Sequence, residues 1–513
     1  MNDVKRMIND SALARWTVLV MVSLLMFATY WFQDFMSPLQ GLMREAWGFS
    51  NSDFGLIISC TTWLNMVGAI IVGGMILDRF GPKVCIFIFG GLAAAGAAMS
   101  ALGADGVFGE DPMTRRNMMI VGRILFGIGL EVTCVLVSKT VVKWFKGHEL
   151  AMAMGINVGF GRLGSMLGIM FSADIAGKSP APAVKFAAVL IGIGVIAYIA
   201  HLMFDAKLER DRARASEGKE EDTGGDEEQF KISDLITLIK NPSFLFVALL
   251  CVTFYSAVFP FIQYAPDLLV NKFGFTRVMP EGLSVASLEY WKQLVHCGPK
   301  VAGLIPFGTL IMTPIFGAFV DKKGKAATIM MLGSALLIFA HLSLSVFNSV
   351  ALGYAGLLAL GMAFSLVPSA MWPSVAKIVP ESRLGTAYAT MFTIQNWGLG
   401  AFFWGIGKVL DVSNPEVVDL KQEAADITAK LAPLTEKFKE LPAQVRAGVE
   451  QGLISQKEAD LVSQADKALF DYTVPILMLV ALGGISILLA FMLKRADKKQ
   501  GYGLELPSGQ KPE

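Results

Sequence analysis

Apolar residues along this chain gather into blocks, with short polar punctuation between them, rather than into one-sided stripes. A block of roughly 20 apolar residues is what a helix needs to cross the hydrocarbon core of a bilayer. Such blocks fall at 16–38, 55–77, 84–103, 117–140, 150–173, 183–204, 244–266, 301–320, 326–346, 349–372, 384–410 and 473–493. In lipid the backbone must satisfy its own polar groups, and a run of this length does so as a helix. The pattern predicts an all-α membrane protein with twelve transmembrane helices in two bundles of six.

The polar stretches set the boundaries. Residues 1–204 form a first bundle, 205–243 a cytoplasmic linker, 244–410 helices seven to eleven, 411–470 an insertion, and 471–513 the last helix with a tail. The linker contains LERDRARASEGKEEDTGGDEEQ, whose mixed charge predicts a mobile segment. In the insertion, Leu420, Ala424, Ile427, Leu431, Leu434, Phe438 and Leu441 alternate steps of four and three, the seam of a packed helical pair. Pro433 breaks that seam, and Ser455 with Glu458 makes a capping box that opens a further helix. A helical hairpin too charged to span is expected there, and it is the candidate docking segment for a partner protein.

Lysine and arginine set orientation. They concentrate in DRFGPK (78–83), KWFKGHE (143–149), DKKGK (321–325), KIVPESR (377–383) and the tail from Lys494, which places both termini in the cytoplasm and the insertion outside it. The first apolar block exceeds a signal peptide's and is expected to stay as an anchor. The expected location is a plasma (bacterial inner) membrane.

Composition narrows the chemistry. A net charge of +1 points away from nucleic acid. The cysteines Cys60, Cys85, Cys134, Cys251 and Cys297 form no CxxC pair, and His148, His201, His296 and His341 are scattered, so neither a disulfide framework nor a metal site is indicated. Gly159-Phe160-Gly161-Arg162-Leu163-Gly164 spells the dinucleotide fingerprint, but inside an apolar helix it lacks the strand that gives the motif meaning. Its glycines instead pair with small residues four positions on: Gly155 with Gly159, Gly161 with Ser165 and Gly164 with Gly168 let helices approach closely. With no nucleophile, metal or cofactor constellation and no GxxxxGK[ST] loop, the chain reads as neither an enzyme nor an ATP-driven pump, and no cofactor is expected.

The chain also repeats itself. Gly74-x-x-x-Asp78-Arg79-x-Gly81-x-Lys83 recurs as Gly317-x-x-x-Asp321-Lys322-x-Gly324-Lys325. A longer match at an offset of 234 pairs Gly127 with Gly361, Lys143 with Lys377 and Gly164 with Gly398. Parallel halves of this kind place a solute site at their interface near the midplane. Asp78, Arg79, Lys83, Asp321 and Lys322 are the candidate gating residues. The acids can cap a helix N-terminus and the bases can pair across the cytoplasmic gate.

Three ionisable residues interrupt the predicted spans: Asp34, Glu131 and Arg162. Charge in hydrocarbon costs at least a few kcal/mol, so its retention marks a solute or ion pathway. Two acids and a base suit a zwitterion, and the acids are also candidate proton carriers, so uniport and proton coupling both stay open. Glu131 and Arg162 forming a structural bridge is the competing reading. On that reading Arg123 or Lys139 could also snorkel toward the helix ends; each stands about 12 Å along the helix from Glu131, at 1.5 Å per residue, and is not expected to neutralise it directly. At the repeat offset Glu131 faces Ser365 and Arg162 faces Asn396, while Gln33-Asp34 echoes Gln263-Tyr264. The charges therefore lie in the first half. Tyr255, Tyr264, Trp372, Asn396 and Trp397 are expected to supply neutral hydrogen bonds and aromatic surface from the second.

Through the paired loops and the six-plus-six repeat, the membrane portion resembles the major facilitator superfamily. YWFQDFMSPLQ (30–40), GRILFGIGLE (122–131), WFKGHELAMAMGINVGFGRLGS (144–165), TPIFGAFVDKKGK (313–325), LVPSAMWPSVAKIVPESRLGTAYA (366–389) and IQNWGLG (394–400) look like the group of the lysosomal dipeptide uniporter and its bacterial relatives. In that group an acid on the fourth helix and an arginine on the fifth hold the two ends of a dipeptide; the matching positions are Glu131 and Arg162, with Asp34 at the end of the first helix. The chain departs from the lysosomal members in lacking a dileucine signal in MNDVKRMINDSALARW and in carrying 411–470.

The expectation is a transporter of a small zwitterion, a dipeptide or amino-acid-like solute, working by alternating access. Arg162 would take the carboxylate, Glu131 the ammonium or a proton, and Asp34 would assist. An organic-anion carrier of the same superfamily is one alternative, although its substrate would meet an excess of acid. A non-transporting receptor or scaffold working through 411–470 is another.

Overall fold

The computed structural model describes residues 7–216, 237–380, 383–434, 438, 441–507 and 510. Its regular elements are helices, and the described residues contain a single isolated bridge, Thr276 to Cys297. Helix starts are legible in the local chemistry. The side chains of Ser11, Asp111, Asn241 and Ser349 accept from the amides of Ala14, Thr114, Ser243 and Leu352, satisfying donors that an N-terminus leaves orphaned. Pro112 and Pro242 follow two of these caps at the first helical position, where no amide hydrogen is missed.

Nine helical runs among the described residues are long and apolar enough to cross a membrane, from Ala12–Trp47 to Thr473–Gln500. The three other predicted spans are helical as well. Leu150–Ala176 and Leu384–Ser413 are long helices. The span expected at 55–77 is broken: Asn51–Ser59, a tight turn and Trp63–Met66 precede a left-handed Gly68, after which Ala69–Cys85 continues to a second kink at Gly81. Both glycines hold positive φ, which a side chain would oppose.

Within each half, glycine lets helices touch at backbone distance. A Cβ on Gly164 would lie 2.2 Å from the Phe27 carbonyl oxygen, and one on Gly168 would lie 3.1 Å from that of Trp31. The repeat mate Gly398 packs just as closely on Ser256 of the corresponding helix of the second half, with 2.1 Å to its Oγ. Gly155, by contrast, faces open space, and Gly159 meets Leu310 of the other half, so the small-residue face against the first helix is made by Gly161, Gly164, Ser165 and Gly168.

One predicted boundary moves, and one predicted element is larger than expected. The linker does not begin at 205: the helix Ala181–Ser216 runs on through LERDRARAS. These are strong helix formers, and Asp205 and Glu209 both bond Lys143 at 2.8 Å while Trp144 Nε1 donates to Asp205. The rest of the expected linker, 217–236, lies outside the described residues. The insertion is more than a hairpin. Pro415–Ala429, Leu441–Glu450 and Gln456–Lys467 pack three helices around a separate small core of Ala424, Ile427, Leu431, Ala447, Ile454 and Val462. The Ser455–Glu458 capping box is formed.

Both described termini lie at one end of the bundle, here the termini end; the insertion lies at the opposite, insert end. The paired loops sit at the termini end. Asp78 bonds Lys139 of its own half, Arg79 covers the Phe80 ring at 5.4 Å, and Lys83 is exposed, as are Asp321 and Lys322. The second loop is built differently from the first. Gly324 and Lys325 both take positive φ, and the chain after the last helix lies across them. Leu504 and Glu505 carbonyls accept from the Ala326 and Lys325 amides at 3.0 Å, the Glu505 carboxylate accepts from Thr328, and Lys377 donates to the Leu506 carbonyl. The tail thus supplies the N-terminal cap of the next helix, the role expected of a loop aspartate.

Candidate functional site

Asp34 closes the first helix, where Pro38 and a tight turn prevent its continuation. It is buried, accepts from the Ser165 hydroxyl, and accepts from Gln263 Nε2 of the second half at 2.6 Å. Beside it Arg123 does not snorkel. This guanidinium is fully buried, donates to the Phe32 carbonyl at 3.0 Å, and is ringed by Phe32, Phe35 and Phe126 at 5.0, 5.4 and 6.0 Å. Too far from either helix end to reach water, it stays inside on a carbonyl and three ring faces. Its Nε and Nη2 have no partner among the described residues, and Asp34 is the acid within its electrostatic range.

Glu131 and Arg162 are both half-buried and do not pair with each other. The Asn396 side chain of the second half stands beside Glu131, while its Nδ2 donates to the Phe392 carbonyl at 2.9 Å. Arg162 lies over the Phe364 ring of the second half, 4.8 Å from its centroid. Each charge of the first half therefore faces a neutral group of the second. Tyr30, one helical turn before Asp34, stands within electrostatic range of Cys134, Arg162, Glu131 and Asp34, and Gly161 packs on its ring. Tyr30 carries no charge that singles it out in the sequence. The spacing of four to Asp34, which places both on one helix face, was the available signal.

The second half contributes a continuous aromatic wall. Tyr255 stacks on Phe259 at 5.4 Å, Phe259 meets Phe364 edge-on at 5.2 Å, and Trp372 stacks on Phe392 at 5.0 Å. Trp372 Nε1 donates to the Tyr255 hydroxyl at 3.0 Å, which fixes both rings. Tyr255, Trp372 and Asn396 thus join Asp34, Glu131 and Arg162, with Phe364 and Phe259 as members the sequence did not single out.

Tyr264 and Trp397 lie elsewhere. Tyr264 is fully buried, donates to the Phe403 carbonyl at 2.8 Å and packs edge-on against Phe54. Trp397 is 57% exposed and donates to the Met66 carbonyl at the break in the second span. Both residues fasten the seam between the halves. Trp397 follows Asn396 by one residue, which in a helix turns it about 100° away.

The halves are locked together at the insert end. Arg44 bonds both oxygens of Asp267 at 3.0 and 3.2 Å, Lys300 bonds Asp174 and the Met170 carbonyl, and Arg277 bonds Glu45. Ser37 and Ser59 donate to the Ile262 and Gly400 carbonyls at 2.9 and 2.8 Å. At the seam, a Cβ on Gly407 would lie 2.1 Å from the Asn51 carbonyl oxygen. Side-chain clusters able to hold a metal ion are absent among the described residues.

The family model described as Major Facilitator Superfamily matches residues 21–403, ending before the insertion. Among curated proteins, the chain is 30% identical over 404 residues to the lysosomal dipeptide transporter MFSD1 of Homo sapiens, covering 77% of this chain and 80% of that one. It is 29% identical over 410 residues to the same protein of Danio rerio, covering 78% and 81%. Among solved structures, an inward-facing, occupied bacterial homolog of the human lysosomal transporter Spinster superposes with a TM-score of 0.58 at 14% identity, covering 95% of this chain and 98% of that one. The nucleoside transporter NupG superposes with a TM-score of 0.57 at 13% identity, covering 94% and 99%.

Proposed function

The chain belongs to the Major Facilitator Superfamily, and from that premise we propose that it carries a small zwitterionic solute, a dipeptide or amino-acid-like compound, by alternating access across twelve helices. One observation carries this reading. Glu131 and Arg162 are opposite charges of one half that do not pair with each other, and each is met by an uncharged group of the other half, Asn396 and Phe364. A charge held within a membrane bundle without a counter-ion costs a few kcal/mol, so two such charges of opposite sign suit a solute that brings both counter-charges. Arg162 takes the carboxylate in its planar fork, Glu131 takes the ammonium group, and the Tyr255–Trp372 wall covers the uncharged middle. Asp34, bound to both halves, links occupancy to their relative movement. Asp78, Arg79, Lys83, Asp321 and Lys322 line the gate at the termini end.

Orientation follows the basic loops, with the termini in the cytoplasm of a bacterial inner membrane. The locked insert end is then extracytoplasmic and the structure faces inward. The name of the curated relatives supports a dipeptide, since the chain spans about four-fifths of their length.

A thermal-shift screen of dipeptides, amino acids, sugars and organic acids on the purified protein tests the reading, because a bound ligand raises the melting temperature by mass action. Dipeptides or amino acids are expected to stabilise it. Stabilisation by sugars alone overturns the zwitterion; stabilisation by dicarboxylates alone favours the organic-anion carrier.

A further inference from the structure

Residues 411–470 lie beyond the family match, yet the two strands of chain on which this insertion stands are wired into the contact between the halves. On the first, the Asp411 carboxylate accepts from the Asn51 amide at 3.2 Å, from Asn51 Nδ2 at 2.8 Å and from the Ser52 amide at 2.7 Å. It sits on the N-terminus of the Asn51–Ser59 helix of the other half, where the helix dipole favours an anion. Asn51 Oδ1 in turn accepts from Arg44 at 2.5 Å, and Arg44 grips Asp267. On the second strand, the Tyr472 hydroxyl donates to Asp267 Oδ2 at 2.6 Å, and the Arg44 guanidinium lies 4.5 Å from the Phe470 ring centroid. Asn414 closes the circuit. It donates to the Asp471 carbonyl at 3.0 Å and accepts from the Asp471 amide at 2.7 Å, joining the two strands.

The result is a closed ring of bonds: Asp411, Asn51, Arg44, Asp267, Tyr472 and back through Asp471 to Asn414. Two members, Asn51 and Arg44, belong to the first half, and the rest flank or face the insertion. Their placement is economical for one purpose. Parting the halves at the insert end must break the Asp411–Asn51 and Arg44–Asp267 links together, and both are held in register by the strands that carry the insertion. The paired Asn414–Asp471 bonds hold those strands side by side at the base of the insertion.

We propose that the insertion is a latch on the insert-end lock: its two roots hold that end shut, and the insertion's attachment sets how the molecule divides between its two facing states. Asp411 and Tyr472 are positioning residues in this device and touch no solute. The proposal rests on the alternating-access reading but is tested without a solute.

Hydrogen exchange of the full-length protein in lipid nanodiscs provides the test, comparing the wild type with Asp411→Asn and, separately, Tyr472→Phe, which removes one hydroxyl and keeps the ring. Releasing the latch is expected to raise exchange across 51–66 by at least about threefold in each variant and, reciprocally, to lower it at the termini end, across 150–158 and 384–392. A rise at 51–66 with no fall at the termini end reduces Asp411 and Tyr472 to local structural bonds and overturns the proposal. Unchanged exchange at both ends overturns it as well. Failure of dipeptides to bind the wild type would count against the solute reading alone and leave this result standing.

Discussion

Asn396 of the second half stands beside Glu131 of the first, and it lies 234 positions beyond Arg162, where the internal repeat would place a second arginine. At that position the second half carries an amide rather than a charge, which sets a neutral polar group beside the acid. Asn396→Ala is expected to weaken solute binding by several-fold, the loss of one neutral polar contact of about 1 kcal/mol. Isothermal titration of the purified variant checks it, and an unchanged Kd would remove Asn396 from the site.

Arg162→Ala removes the fork assigned to the carboxylate. A truncated buried charge pair costs roughly 2–5 kcal/mol, so binding should fall at least about thirtyfold. Arg162→Lys should recover only part of it, because an ammonium group cannot make two parallel bonds to one carboxylate. Equal Kd values for the arginine and lysine forms would argue against bidentate recognition.

Arg123 and Asp34 share one buried region, so the two substitutions should not be additive. Asp34→Asn leaves the Arg123 guanidinium with no acid in range and is expected to destabilise the protein by roughly 3 kcal/mol. Adding Arg123→Met to that variant should restore much of the loss. Melting temperatures of the two single variants and the double variant give the coupling; simple additivity would show that the charges do not interact.

The tail clamp should respond to acid. Burial alone would push the Glu505 carboxyl up, but the Thr328 hydroxyl and amide and the Lys494 ammonium outweigh it and hold the carboxyl below its ordinary range. A depressed acid contributes stability above its unfolded pKa, about 4.3 for glutamate, and loses it as pH falls through the folded value. Docking of 501–507 should therefore be intact at neutral pH and weaken only below that value. Amide exchange at 325–328 should rise in that acid window, and in Glu505→Gln at neutral pH. Equal protection in the glutamine variant would show that the carboxylate does not hold the tail.

Two glycines separate folding from gating. A Cβ on Gly164 collides with the Phe27 carbonyl inside one half, whereas a Cβ on Gly407 collides with the Asn51 carbonyl across the halves. Gly164→Ala should lower the yield of folded protein. Gly407→Ala should fold and shift the insert end toward opening. Size-exclusion profiles and exchange at 51–66 distinguish the two outcomes, and equal loss of folded material in both would contradict the division.

The helical fold was legible because lipid leaves a chain few options, and the repeat marked where the halves meet. Asp34, Glu131 and Arg162 were legible for the same reason: charge in an apolar block has few structural excuses. The interior seat of Arg123 was not legible because two of the three phenylalanines that receive it, Phe32 and Phe35, come from another helix and its end. Tyr264 and Trp397 were misassigned because an aromatic next to a polar residue gives no clue to which helix face it occupies. The tail clamp and the lock join residues up to 360 positions apart, and no local pattern announces such contacts.

The central claim is that one solute satisfies Glu131 and Arg162 with its two charged ends. Competition for uptake into liposomes carrying the purified protein tests it, using a labelled dipeptide against the same dipeptide unblocked, N-acetylated, or C-amidated. The unblocked peptide should compete fully. Either single block should weaken competition by at least about tenfold, the cost of one lost charge contact, with Glu131→Gln insensitive to the acetyl group and Arg162→Ala insensitive to the amide. Equal competition by all three peptides would contradict the account.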